Sequence, residues 1–475
     1  MADNSVLVPN SHAVSSDCLF NLKPSAVRSR SYRANILPTN KSTFNPGDLA
    51  VFYIPGGRRN TYMDPQQSFL RMTVKNNDST NMMVLDNNLG ALINRLDIFH
   101  ASNLIETIQQ YNVLWDYVLD CQLNEAQRKG YSSSYGFNPN SSVTISGTVT
   151  TPRCGAVIAK STQVTGCFPI LSGSVGLGCD KFIPIGQMAD DIRLEFTFEN
   201  LLNSCVYIAD SASTTTISGN LVASESTSSQ WTVTNMELCI QIIELSDEGQ
   251  AMVESVTPFD RPVYLHGNSW RHMMSTLPSA SSGMYSTLVG ARFASLKTMH
   301  VLPRRASELN TTNSFSLASR VNPNFSQYWW RIGAYIIPQK SVNLINASTT
   351  GGYGEGFLEL QKAWHALNHP EYASSLPFNL YNVADAADTT VGNGGVTVGG
   401  TTSLSINNAF ALATELETFA QRNDVLLSGM NTLASQVFFE ANISTALSAN
   451  NYTLDFYANY DHILVLQDGI LSVRF

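Results

Sequence analysis

The chain has 475 residues, 43% of them apolar and only 14% charged, with a formal net charge of −9 and a pI near 5.4. That apolar fraction excludes a disordered chain, and the length exceeds what one hydrophobic core ordinarily organises, so two domains or one doubled domain are expected. The acidic balance excludes a whole-chain nucleic-acid binder, because neutralising phosphates needs a basic face; any such contact must be local.

The opening run MADNSVLVPNSHAVSSD has neither a basic n-region nor an apolar h-region. No apolar stretch approaches the roughly 20 residues that cross a bilayer, so synthesis in the cytosol is expected, without a signal peptide or transmembrane segment. Residues 1–38, with Arg28, Arg30 and Arg33, are read as an amino-terminal arm. In SFLRMTVKN, Leu70, Met72 and Val74 alternate with Arg71, Thr73 and Lys75, a strand with one wet face. ALINRLDIFHASNLIETI reads as a strand pair, and Tyr111, Leu114, Trp115, Val118 and Leu119 then take helical spacing. DIRLEFTFEN puts Ile192, Leu194, Phe196 and Phe198 against Arg193, Glu195, Thr197 and Glu199. The polar run 211–230 reads as a long exposed loop, and WTVTNMELCIQIIEL resumes the strand pattern.

Alternation is lost in SDEGQAMVESVTPFDRP, residues 246–262, where charge rises and two prolines follow; a connection between domains is placed there. Beyond it WWRIGAYIIPQKSVNLI again reads as a strand pair, and Phe357, Leu360, Trp364 and Leu367 follow a helical spacing. The Gly/Thr-rich run 387–403 is the second long loop. Strand pair, helix and late polar loop thus occur once in each half, offset by roughly 245 residues, as in a doubled domain. Asp468-Gly469 is a strong hairpin turn, since both residues tolerate positive φ. The strand after it puts Leu471, Val473 and Phe475 on a core face, so the fold is expected to close over its own last residues.

Catalytic signatures are sought and not found. There is no P-loop and no G-x-S-x-G, and the glycines of GSVGLG (Gly173, Gly176, Gly178) lie between strands in the wrong order for a dinucleotide site, so a turn is expected. His365 and His369 have the i, i+4 spacing of a zinc pair, but Ala366 stands where a metalloprotease carries its Glu, and the pair is read as partly satisfied surface histidines. Asp190, Asp191 and Glu195 are read as solvated edge charges. Arg58-Arg59 and Arg304-Arg305, like the arginines of the arm, are read as solvent-facing or paired with carboxylates between subunits. The 7 cysteines, odd in number and without C-x-x-C, read as reduced thiols. No catalytic, cofactor-binding or metal-ligating residue is assigned, and no enzyme activity is expected.

Four passages, GALINRLDIFHASNLIETIQQYNVLWDYVLDC, VTNMELCIQIIEL, WRIGAYIIPQKSVNLI with GEGFLELQKAW, and DFYANYDHILVLQDGILSVRF, resemble the double jelly-roll major capsid proteins of polinton-like viruses, virophages and adintoviruses. The likeness spreads over most of the chain. It implies an all-β fold of two tandem antiparallel jelly-roll sandwiches with a few short helices: arm 1–38, first jelly roll 39–245, connection 246–262 and second jelly roll 263–475. It further implies a homotrimer forming a pseudo-hexagonal capsomer of an icosahedral virion. Its partners would be neighbouring capsomers, penton and minor capsid proteins, with at most local contact to packaged double-stranded DNA. The polar loops would project outward as towers, and the arm would lie inside. The alternative is a viral vertex or receptor-binding β-sandwich protein that recognises glycans through exposed loops, which would need one jelly roll rather than two.

Overall fold

The computed structural model describes residues 26–474 except 86–87, 124–126, 128–129, 137–141, 146–147, 151–156, 210–215, 220–230, 257–260, 280, 307–308, 310–316, 318–319, 345–353, 366–375, 377–380, 382–394, 399–401, 406–408, 420–425 and 445–450. Eight strands build the two main sheets of the first half, beside shorter strands such as the small sheet of 81–85, 157–158 and 205–209: β1 (Ser29–Ile36), β2 (Leu49–Ile54), β3 (Thr61–Asn76), β4 (Ile93–His100), β5 (Asn103–Gln109), β6 (Gln163–Pro169), β7 (Ile192–Phe198) and β8 (Trp231–Leu245). They form two antiparallel sheets, ordered β1-β8-β3-β6 and β2-β7-β4-β5.

The second half repeats this with β9 (Val263–Leu277), β10 (Gly283–Val289), β11 (Leu296–Arg305), β12 (Phe325–Ile332), β13 (Tyr335–Asn343), β14 (Leu412–Glu415), β15 (Val437–Ile443) and β16 (Tyr452–Gln467). Its sheets run β9-β16-β11-β14 and β10-β15-β12-β13, so every strand sits beside the counterparts of its neighbours eight strands earlier. Eight strands in two facing sheets with this crossing order make a jelly roll, and the chain is a double jelly roll.

Alternation builds each sandwich. Along β7 every second residue, from Ile192 to Phe198, is buried while those between are half-buried. Aromatic side chains fill the space between sheets: Trp231 packs on Phe198 at 6.0 Å in the first half, and Trp330 on Phe439 at 5.1 Å in the second. Each such pair adds about 0.5–1.5 kcal/mol to the burial of its area. The expected helices are α1 (Tyr111–Gln122), following the β4–β5 pair, and α3 (Gly354–Ala363), following the β12–β13 pair. Trp364 lies just past α3, and Leu367 is outside the described residues. Of the two polar runs, 216–219 pairs in parallel with 142–145, and 395–398 forms a hairpin with 402–405; the rest lies outside the described residues.

Three readings change. Residues 29–36, placed in the arm, are β1, an edge strand of the first sandwich held to β8 from Ser29↔Leu245 to Ile36↔Leu238. The connection contains a helix, α2 (Asp247–Val256), whose first turn carries Asp247 and Glu248 against the positive end of its dipole. A seventeenth strand, β17 (Ile470–Arg474), has no counterpart in the first half. It follows a turn in which Asp468 and Gly469 both have positive φ (53° and 76°), and it pairs with the end of β16 from Gln467↔Ile470 to Ile463↔Arg474. Leu471 is buried and Val473 half-buried, as the alternation requires, whereas Phe475 is outside the described residues. β17 does not sit wholly within the second sandwich, because it also lies against β4 and β5 of the first. No described helix is long and apolar enough to cross a membrane.

Candidate functional site: the seam between the sandwiches

The two jelly rolls meet along β5 and α1 of the first and β9, β11 and β17 of the second, and the seam is built from buried polar groups. On β5, Glu106 is 3% exposed. It accepts hydrogen bonds from the amides of Gly173 and Ser174, both at 3.0 Å, and from Ser172 Oγ at 2.6 Å. Ser269 Oγ on β9 donates to the same carboxylate from the other sandwich. The GSVGLG segment is therefore a turn whose amides converge as a nest for an anion, and the anion is the chain's own Glu106. Its glycines permit backbone to touch backbone: Asn268 N donates to Gly178 O at 3.0 Å, and a Cβ on Gly267 would stand 2.1 Å from Gly173 O.

Helix α1 turns two carboxylates toward the second half. Arg320, fully buried, donates through Nη1 to Asp116 Oδ2 at 2.8 Å and through Nη2 to Asp120 Oδ2. Its guanidinium also lies 5.5 Å from the centre of the Tyr117 ring. Burial alone would lower its pKa, but Asp120 and Asp116 more than offset that and hold it protonated. Tyr117 then meets two further side chains of the second half. Its hydroxyl is 2.9 Å from His300 Nδ1, Trp364 Nε1 donates to it at 3.1 Å, and the rings of Trp270 and Trp364 pack at a tilt against His300 at 5.2 and 5.5 Å. Burial pushes the His300 imidazole down to about 3, so it stays neutral. A cavity of ≈ 260 Å³ runs along this line, walled by Trp115, Tyr135, Leu177, Trp270 and Trp364.

A third set of bonds comes from the carboxyl-terminal hairpin. Leu471 N donates to His100 Nδ1 at 3.1 Å, and Ala189 N donates to Gly469 O at 2.9 Å. Tyr457 on β16 donates to Gln110 O at 2.8 Å, just where α1 begins. Carboxylates of the seam come from the first sandwich, and the arginine and serine that answer them come from the second. Breaking a buried pair of this kind strands an uncompensated charge, so the arrangement selects one relative placement of the two sandwiches.

The residues singled out in the sequence lie elsewhere or have local partners. Asp191 accepts from Gly56 N at 2.9 Å, Asp190 from Asp191 N at 2.8 Å, and Glu195 pairs with Arg193 at 3.0 Å. Arg30 and Arg58 both reach Glu244, at 2.7 and 3.8 Å, at the exposed end of the β1–β8 pair. Arg304 was expected at a surface and is instead 3% exposed, donating to Asp455 at 2.7 Å inside the second sandwich. Five cysteines, Cys121, Cys167, Cys179, Cys205 and Cys239, form no disulfide among the described residues; Cys18 and Cys154 are outside the described residues. His365 follows α3 beside Glu415 and Glu417, and His369 is outside the described residues. Linear reading missed Glu106, Asp116, Asp120 and Arg320. The only signal available was two acids four apart on an otherwise apolar helix.

No family model matches the chain, and no curated protein matches it. Solved structures do. The PBCV-1 protein VP54, as fitted into a reconstruction of the virophage Sputnik, superposes with a TM-score of 0.58 at 8% identity, over 96% of this chain and 99% of that one. The Faustovirus major capsid protein gives 0.54 at 10% identity over 95% and 92%, and the mavirus major capsid protein 0.51 at 10% over 98% and 95%. Identities this low speak to the fold, and the fold they share with this chain is the double jelly roll along its whole length.

Proposed function

We propose that the chain is the major capsid protein of a DNA virus, a structural protein that trimerises into pseudo-hexagonal capsomers tiling an icosahedral shell. The observation that carries this reading is the unequal covering of two equivalent faces. In the first sandwich β5 and α1 are covered by the second sandwich of the same chain. In the second, β13 and α3 hold the same position, and Tyr335, Ile336 and Leu358 there are 68%, 48% and 51% exposed. A neighbouring chain's first sandwich is the natural cover, because it presents β1 where the second sandwich presents β9. Repeating that contact head to tail closes a ring when three chains supply six jelly rolls.

On this reading the units are two jelly rolls joined through 246–262, and the amino-terminal arm is the stretch before Ser29, facing inward. The polar runs near 211–230 and 387–403 face outward as towers, and penton and minor capsid proteins contact the rim of the capsomer. Any contact with packaged double-stranded DNA is local, given the net charge of −9. Native mass spectrometry of the recombinant chain is the test. A trimer is expected, and the double variant Tyr335→Asp/Ile336→Asp is expected to be a folded monomer by circular dichroism. A wild-type chain that stays monomeric at micromolar concentration overturns the proposal, as does a trimer indifferent to both substitutions.

A further inference from the structure

Outside the seam, one group of side chains in the second sandwich brings an imidazole beside two buried carboxylate oxygens that have no hydrogen-bond donor. Glu415 ends β14, Glu417 follows two residues later, and His365 is delivered by the turn after α3, with positive φ (56°). One ligand atom from each lies within 4.8 Å of the others. Both carboxylates have their first oxygen engaged and only the second left over. Glu415 Oε1 accepts from Glu417 N at 3.0 Å, while Glu417 Oε1 accepts from Ser428 Oγ and pairs with Lys297 Nζ at 3.2 Å. Both second oxygens, Glu415 Oε2 and Glu417 Oε2, are buried without a hydrogen-bond partner, on side chains only 5% and 4% exposed. His365 Nδ1 stands 3.7 Å from Glu415 Oε2 and its ring is 36% exposed, which leaves a side open to solvent.

We propose that His365, Glu415 and Glu417 bind one divalent transition-metal ion, Zn²⁺ by preference, with water in the remaining position. Buried carboxylate oxygens without donors are costly unless a cation or proton meets them. Among the described residues Lys297 is the cation paired with Glu417, and it is shared with Asp461 at 3.6 Å, which also takes His266 at 3.0 Å. Lys362 of α3 also acts on Glu415. One imidazole and two carboxylates suit Zn²⁺, with Mn²⁺ next, whereas Mg²⁺ and Ca²⁺ prefer oxygen alone. Zinc bonds of about 2.0–2.2 Å place ligand atoms about 3.4 Å apart, a contraction of about 1.4 Å at most from their present spacing. The bound ion ties the end of α3 to β14 of the second jelly roll.

The full untagged chain, stripped with chelator and titrated with Zn²⁺, tests this by calorimetry and metal analysis. One Zn²⁺ per chain and a rise in Tm with added Zn²⁺ are expected, with Mg²⁺ ineffective. His365→Gln, at a partly exposed side chain, should weaken binding at least tenfold and abolish the visible absorption of the Co²⁺-loaded protein, with the fold checked by circular dichroism. Glu415→Gln/Glu417→Gln should remove binding altogether. Absence of stoichiometric metal overturns the proposal, as does binding unchanged by His365→Gln, which would place the ion elsewhere.

Discussion

The first sandwich hides its helix and the second shows its own. Every residue of α1 from Tyr111 to Cys121 is buried, including Asp116 and Asp120, whereas α3 buries only Gly356, Leu360 and Ala363. The two helices follow equivalent strand pairs and close equivalent ends of their sandwiches. What differs is whether another jelly roll stands against them. Strand order is thus a property of each half alone, set by alternation and turns. The burial of an aspartate is a property of the pair, because it requires Arg320 from 200 residues away in the chain.

The sharpest way to break this comparison is to remove the side chain on which it turns. Arg320→Ala takes from the buried Asp116 and Asp120 the guanidinium that both accept from, and a cost of about 3–5 kcal/mol is expected. The matching change on the open face, Arg30→Ala, removes an ion pair whose arginine is 66% exposed and should cost about 0–1 kcal/mol. Urea denaturation of both variants measures the contrast. Replacing all three charges by apolar residues, Arg320→Met/Asp116→Leu/Asp120→Leu, should recover most of the loss, since the penalty comes from the stranded charges. Equal destabilisation by Arg320→Ala and Arg30→Ala would show that the seam is not the discriminating feature.

Acid should separate the halves next. His300 of β11 is held neutral, pushed down to about 3 by burial, while in the unfolded chain it titrates near 6.5. Between those values the unfolded state binds a proton that the folded state refuses. Stability therefore falls as the pH drops through that window, by about 1.4 kcal/mol per pH unit from this residue. Asp455 of β16 adds to it lower down. Burial would raise its pKa, but Arg304 and His272 hold it at about 2, so its contribution is present above the ordinary carboxylate range and is lost as the pH falls toward 2. Both groups belong to the second sandwich. In the first, the lowered carboxyls, Asp48 and Asp78, sit in short turns stabilised by local amides. Hydrogen exchange at pH 4.5 should open β9, β11 and β16 before β3 and β7; simultaneous opening would mean that the seam couples the halves into one unit.

The framework was legible because its signals are local. Period-2 alternation in β3, β7 and β8, helical spacing in α1, and the Asp468-Gly469 turn each declare themselves within about ten residues. β1 was not, because its inward residues Tyr32, Ala34 and Ile36 are only half-buried and the opposite face, Ser29, Ser31, Arg33 and Asn35, is polar throughout. α2 was hidden by a composition typical of a linker, although Ser246, whose Oγ accepts from Gly249 N at 3.2 Å, and the acids after it form a helix start. The seam lay beyond sequence reading for a different reason. Glu106 meets Ser269, Asp116 meets Arg320 and His100 meets Leu471 across separations of more than 160 residues, and no periodicity encodes such pairings. Glu415 and Glu417 share that difficulty, since their proximity to His365 depends on α3 packing against β14.

The smallest effect tests whether the seam is packed through its backbone as well as its charges. Gly267 on β9 faces Gly173 so closely that an added Cβ would stand 2.1 Å from the carbonyl oxygen, an atom that no rotamer change can move. Gly290, just after β10 in the same sandwich, has nothing within 4 Å of its own Cβ position. Gly267→Ala should therefore cost about 1–3 kcal/mol through overpacking. Gly290→Ala should be neutral or gain about 0.4–1 kcal/mol by restricting the unfolded chain. If the seam is as close as these glycines imply, Gly267→Ala should also weaken protection of the Gly173 and Ser174 amides that hold Glu106, because moving that loop lengthens both bonds. Thermal unfolding ranks the two variants, and exchange at those two amides shows where the strain goes. Two alanines of equal consequence would mean that the sandwiches meet loosely, with side-chain charge alone fixing their placement.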